Sequence, residues 1–212
     1  MRTGSRSSPS VIFLFGAALL VLGGLGFFFW HQPAPPQGLG DRTQWLARGP
    51  SLPPFSLPST QGILTQESLT GRWTFLLFGY THCPDVCPTD LALLASVSRS
   101  FKKGGHPAPQ VIFVSVDPGR DSLSVLGQYV PAFDPSFIGA QATAAQLKPF
   151  TQSLGVYAVL HDQERDGRGN YPVDHSSTIF LFNPAGRLQA SFQMPQTPDG
   201  LFRDTQAILA SE

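Results

Sequence analysis

Trp73-Thr-Phe-Leu-Leu-Phe-Gly-Tyr-Thr-His-Cys-Pro-Asp-Val-Cys-Pro-Thr89 is the stretch that decides the fold. Its first half, Trp73–Tyr80, is almost continuously apolar. It is too short for a long helix and rich in aromatics, so it reads as a strand buried on both faces. From Pro88 to about Lys103 the apolar residues Leu91, Leu94, Ala95 and Val97 recur at helical spacing, and Gly104-Gly105 ends the run. Pro88 suits a first helical turn, where its missing N–H has no partner to lose. Between strand and helix stand Cys83 and Cys87, the only two cysteines in the chain. Free N–H groups and the helix dipole at such a position favour thiolate over thiol. A separation of four residues, about one helical turn, lets both sulfurs point the same way. Two convergent thiolates suit Cu(I) and tolerate Zn(II). The same pair could close to a disulfide. A merely stabilising bridge fits poorly, because such bridges act by closing long loops and this one closes almost none.

Outward from this segment the pattern alternates strand and helix. Phe55–Ser59 and Ile63–Thr65 flank Gly62 as a short hairpin. Val111–Val116 is a second buried strand, closed by Asp117-Pro118. A helix is expected over Ser122–Tyr129, a short strand at Phe137–Gly139, and a helix over Ala142–Leu154 that Pro149 should kink or break. Tyr157–His161 reads as a strand and 162–170 as a polar surface loop. Ser176–Phe182 and Leu188–Phe192 are strands around an Asn183–Gly186 turn. An amphipathic helix over Thr197–Ser211 closes the chain. This order predicts an α/β sandwich with a mixed central sheet, in the thioredoxin-like arrangement of strand, dithiol loop and helix.

The N-terminal end reads differently. Residues 11–30 contain no charged residue, and twenty residues in a helix match the hydrocarbon thickness of a bilayer. The stretch is longer than the core of an ordinary signal peptide. Arg2 and Arg6 precede it without a nearby acid, so residues 1–10 are expected in the cytoplasm and the rest across the membrane, in the periplasm or an equivalent space. Residues 31–53, with Pro33, Pro35, Pro36, Pro50 and Pro53, read as a semi-rigid linker, and 54–212 as the folded domain. Charged residues make up 13% and the net charge is zero. That excludes a basic nucleic-acid binder, and 42% hydrophobic residues exclude an acidic disordered chain.

Two thiolates leave a copper ion under-coordinated, and the chain offers five histidines. His31 belongs to the membrane end and His106 to a Gly/Pro turn. His82 adjoins Cys83, where neighbours on an extended segment point apart. His161 ends a strand before the polar loop. His175 opens a late strand whose start, in a thioredoxin-like fold, faces the cysteine loop, so it is the expected third ligand. Asp174 is a candidate to orient its ring. Asp117 and Arg120 either support the site or dock a partner, or else shape the strand-to-helix turn by hydrogen bonds and an ion pair.

With these residues in place, the sequence resembles the Sco/SenC family of copper chaperones. Phe78–Thr89, Val114–Asp121, and Val173–Ser176 with the following strand to Pro184 carry the likeness, together with the N-terminal apolar segment. The resemblance implies a membrane-tethered thioredoxin-like domain that binds one copper, Cu(I) and by virtue of the imidazole also Cu(II). By motif match its ligands are Cys83, Cys87 and His175. It implies delivery of copper to the dinuclear site of cytochrome c oxidase subunit II. The alternative is reduction of that site's cysteines, with Cys83 and Cys87 as the redox pair of a thiol–disulfide oxidoreductase. A peroxidase would need a threonine or arginine poised over the thiolate, and no clear set is present.

Overall fold

The computed structural model describes residues 34–167 and 169–211. The segment 11–30, read above as a membrane anchor, lies outside them. Among the described residues no helix is long and apolar enough to cross a membrane. Residues from Pro36 onward form one compact unit.

That unit is built on an eight-stranded mixed sheet. In chain order its strands are β1 Thr43–Trp45, β2 Ser56–Ser59, β3 Gly62–Thr65, β4 Thr74–Gly79, β5 Gln110–Ser115, β6 Ile138–Gln141, β9 Thr178–Phe182 and β10 Leu188–Gln193. They lie in the order β1-β10-β9-β4-β5-β6-β2-β3. The centre, β4-β5-β6, is parallel, and β9, β10 and β1 extend it antiparallel on one side. A separate two-stranded ribbon pairs β7 Ala158–Leu160 with β8 Val173–His175, placing Ala158 opposite His175. The helices are α1 Val86–Lys103, α2 Leu123–Tyr129, α3 Ala144–Leu154 and α4 Pro198–Leu209.

Every residue of β4 is buried, because helices or loops cover both faces of a central parallel strand. Its side chains alternate between two cores. Phe78 packs against Phe150 of α3 and Phe180 of β9, with ring centroids 5.9 and 6.3 Å away. Gly79 turns to the opposite face, against Cys87 of α1 and Phe113 of β5. On that face α1 and α4 pack together through Phe101 and Phe202, whose centroids are 4.9 Å apart.

Three sequence expectations change. The stretch read as linker enters the fold: Thr43–Trp45 pairs with β10, Leu52 is buried, and Gly40 N–H and Thr43 Oγ1 both donate to the buried Asp204 carboxylate. Prolines bracket this segment without interrupting it. Second, α3 continues through Pro149. The pyrrolidine costs the bond to the Ala145 carbonyl, while Phe150, packed on Phe55 and Phe78, holds the following turn in place. Third, His175 does not open the late strand. It ends β8, and β9 begins three residues later at Thr178.

Candidate metal centre

The two cysteines reach each other across a turn. Cys83 N–H donates to the Tyr80 carbonyl at 3.2 Å, reversing the chain beyond β4. The helix begins at Val86, so Cys83 precedes it and Cys87 sits in its first turn. Cys87 N–H points back at Cys83 Sγ, 3.5 Å away. The convergence expected from helical spacing is therefore achieved by a loop and a helix start, with one free N–H of the helix end aimed at sulfur.

Cys87 is 1% exposed and Cys83 half-buried, and both are free thiols. The depth of Cys87 depends on Gly79. A Cβ at that position would lie 2.7 Å from Cys87 Sγ and 2.7 Å from the Phe113 ring. Burial pushes the Cys87 thiol well above the ordinary range, with Cys83 and Asp90 adding repulsion. The dipole argument from sequence is thus overridden by desolvation at Cys87. One turn further along α1, burial also raises Asp90, to about 7.

The imidazole arrives from the β7–β8 ribbon. His175 Nε2 lies 3.3 Å from Cys87 Sγ, and the donor atoms of Cys83, Cys87 and His175 all fall within 4.8 Å of one another. His175 Nδ1 is 3.0 Å from the Ser176 carbonyl, which fixes Nδ1 as the protonated nitrogen and leaves Nε2 free toward the sulfurs. Burial lowers the His175 pKa, opposed by that carbonyl and by Asp174, so the ring is neutral at neutral pH. Asp174 does not orient it. The Asp174 carboxylate, 65% exposed, instead pairs with His161 Nε2 at 2.9 Å, where the ribbon's edge faces water. His82 is 46% exposed on its side chain, and its Nδ1 lies 3.1 Å from Thr81 Oγ1 and 3.8 Å from Asp121. Neither His82 nor His161 joins the cluster.

Behind the site stands a buried polar stack. Asp117, fully buried, accepts hydrogen bonds from Arg120 Nε and the Tyr171 hydroxyl. The Arg120 guanidinium lies 3.6 Å from the Tyr171 ring centroid and 5.6 Å from that of Tyr80. Tyr80 in turn meets His175 edge-on at 5.7 Å. Asp117 and Arg120 therefore support the site through Tyr80 and are not exposed for docking. Next to them is Asp121, to which the sequence analysis assigned no role. It is fully buried and accepts from Thr81 N–H (2.9 Å), Thr81 Oγ1 (2.6 Å) and Ser115 Oγ (2.7 Å). Gly79 could have been singled out, since glycine inside an apolar strand marks a close approach. Asp121 closes the Val114–Asp121 stretch that carries the family likeness, but its residue type alone does not separate it from an ordinary turn acid.

Soft thiolates and an imidazole at this separation match the donor preference of copper, and of zinc. The match to known proteins decides which kin the chain has. The SCO1/SenC family model matches residues 46–210. The chain belongs to the SCO1/SenC family. Among its SCO relatives, the mitochondrial SCO2 homolog of Danio rerio is 40% identical over 123 residues, 58% of this chain and 43% of that protein. The mitochondrial SCO1 homolog 1 of Arabidopsis thaliana is 37% identical over 132 residues, 62% of this chain and 39% of that protein. The chain thus spans half or less of these curated relatives. Arabidopsis thaliana ScoI, solved with copper bound, is 30% identical and superposes with a TM-score of 0.71, covering 77% of this chain and 100% of that one. Bradyrhizobium japonicum ScoI, also with copper bound, is 34% identical with a TM-score of 0.65 and the same coverage. The sandwich is thus the thioredoxin-like fold of Sco proteins.

Proposed function

We propose that this chain is a membrane-anchored copper carrier that holds one copper through Cys83, Cys87 and His175. It passes the ion to the dinuclear copper site of cytochrome c oxidase subunit II. Residues 11–30 form the anchor and the folded unit faces the extracytoplasmic space. The observation that carries this reading is the convergence of two thiols and one neutral imidazole within 4.8 Å. Copper-bound Sco structures of 30 and 34% identity support it.

The chemistry follows from the unequal burial of the donors. Burial raises the Cys87 pKa, so copper loading has to displace its proton and releases it. His175 presents Nε2 already deprotonated. Cys83, half-buried, lines an open depression of about 250 Å³ with Tyr80, Asp85, Val86, Tyr157 and Asp174. A three-coordinate Cu(I) leaves that side open, so an acceptor thiolate binds the ion before Cys83 lets go, and the metal is never free. Val86 and Tyr157 at the mouth, with Val159 and Leu160 along β7, are large apolar side chains left exposed. Such a rim suits an acceptor protein rather than free solvent.

A second reading is favoured by the exposed-over-buried order of the same thiols. The Cys83 thiolate attacks a partner disulfide, breaking it and releasing one partner thiolate. Cys87 sulfur then attacks Cys83, forming the Cys83–Cys87 disulfide and releasing the second partner thiol. Two electrons leave this chain, and its two thiol protons end on the partner. One experiment separates the two readings. The copper-loaded full chain is mixed with metal-free subunit II copper domain whose cysteines are already reduced. Copper found on the re-isolated domain supports delivery. No transfer to the reduced domain, with rapid reduction of its disulfide form by the metal-free chain, replaces delivery with thiol exchange.

A further inference from the structure

We propose that Asp121 is the positioning residue of the dithiol loop, setting Cys83 at ligating distance through Thr81. The inference rests on the copper reading above and adds to it a residue outside the donor set.

The carboxylate is fully buried, yet its oxygens are well used. Oδ2 accepts the Thr81 N–H at 2.9 Å and the Ser115 hydroxyl at 2.7 Å; Oδ1 accepts the Thr81 hydroxyl at 2.6 Å. Thr81 is therefore gripped at both backbone and side chain, two residues before Cys83. Ser115 ends the central strand β5 and its Oγ also receives the Asp117 N–H at 3.1 Å. Asp121 N–H is itself bonded to the Asp117 carbonyl at 3.0 Å. The carboxylate thus ties the cysteine loop to the most buried part of the sheet.

Upstream of Cys83, Tyr80 is buried against Arg120 and His175, and the exposed stretch begins only beyond Thr81. His82 is about half exposed, and Pro84, Asp85 and Val86 are exposed. Cys83 N–H bonds the Tyr80 carbonyl at 3.2 Å, a turn that Thr81 itself builds. Cys87, by contrast, is held by its helix and by its seat on Gly79. Cys83 Sγ accepts the Cys87 N–H at 3.5 Å, and the backbone that carries Cys83 is tied to the sheet through the Asp121 clamp on Thr81. A buried carboxylate that accepts three hydrogen bonds is costly to replace with an apolar group, because the N–H and hydroxyls it satisfied are left without partners. Asparagine is different. Its carbonyl oxygen can take the Oδ2 place, and its NH₂ can donate to the Thr81 hydroxyl, which accepts as readily as it donates. Asp121→Ala should release the loop, whereas Asp121→Asn should keep it.

The test uses the full chain, wild type and both variants, with three readouts. The first is amide hydrogen exchange of the metal-free protein. Protection at Thr81 is expected to fall in Asp121→Ala and persist in Asp121→Asn. The second is Cu(I) affinity against a competing chelator, expected to drop roughly 10- to 100-fold in Asp121→Ala, the range for loss of an outer support, and about threefold or less in Asp121→Asn. The third is the thiolate-to-Cu(II) absorption band, expected to shift or weaken only in Asp121→Ala. If Asp121→Ala lowers the melting temperature but leaves affinity and band at wild-type values, the positioning role is overturned and the residue is purely structural. If Asp121→Asn is as impaired as Asp121→Ala, the geometric argument fails and charge is what matters. Wild-type protein that does not bind Cu(I) would overturn the copper reading itself, an outcome distinct from either.

Discussion

The two sides of the candidate copper site are built to different standards. The thiol side grows out of the central sheet: β4 leads into the loop, Gly79 and Phe113 seat Cys87, and Asp121 grips Thr81. The imidazole side hangs on a two-stranded ribbon outside the main sheet, and residues 162–167, which follow its first strand, are exposed. Among the described residues, the Nε2–Sγ approach, the Ser176 carbonyl and the edge of Tyr80 hold the ring. Buried, well-packed segments open only with much of the fold, whereas small exposed ribbons open locally. The dithiol is thus the permanent part of the site and the histidine the adjustable one. That division suits a carrier, which must hold an ion tightly and still surrender it.

The comparison breaks first at the sulfurs. Cys87→Ser or Cys83→Ala should abolish tight Cu(I) binding, by roughly 10⁴-fold or more, since two-coordinate soft ligation is lost. Competition titration of the reduced variants measures it. His175→Ala should cost about a hundredfold, roughly 3 kcal/mol, leaving the dithiol in place. Equal losses for the cysteine and histidine variants would remove the asymmetry.

Gly79→Ala tests the seat rather than the donors. A Cβ 2.7 Å from both Cys87 Sγ and Phe113 forces a shift in a filled core, at about 1–3 kcal/mol. Denaturant unfolding should show that loss, and Cu(I) affinity should fall with it.

Asp90 gives a pH-dependent effect on the same helix. Burial raises its folded pKa to about 7, well above the ordinary carboxylate value. Well below pH 4 both folded and unfolded states hold the proton, and Asp90 costs nothing. As pH rises toward 7 the unfolded chain ionises first, so stability falls, and the full penalty is present above 7. Asp90→Asn should therefore stabilise the protein by about 1–2 kcal/mol at pH 8 and by much less at pH 4, read from denaturant midpoints at the two values. The smallest effect belongs to the ribbon's outer edge. Asp174→Asn removes the exposed pair with His161 and should change Cu(I) affinity by about twofold or less. A larger loss would return Asp174 to the role of orienting His175.

The three clustered side chains were legible as candidates because each carries its own chemistry: paired cysteines after a buried strand, and a histidine before a late apolar one. The fold class was legible for a similar reason, since β4, β5 and β9 are apolar runs that only a covered sheet explains. What escaped the sequence depends on partners far along the chain. The ribbon pairing that delivers His175 joins Ala158 to a residue 17 positions later, with a polar loop between. The ring's anchor is a backbone carbonyl, which every residue has, so the neighbouring carboxylate was the more conspicuous candidate. Asp121 acts on Thr81 across 40 residues, and Thr43–Trp45 finds its place only once β10 offers an edge.

The most direct measurement is an anaerobic Cu(I) titration of the reduced full chain against a competing chelator, at pH 6, 7 and 8. One tightly held copper per chain is expected. Because Cys87 keeps its proton until metal arrives, apparent affinity should rise by about tenfold or more per pH unit, with matching proton release. A reduced chain that does not compete for Cu(I), or that binds it with no pH dependence, would contradict a copper site built on Cys83, Cys87 and His175.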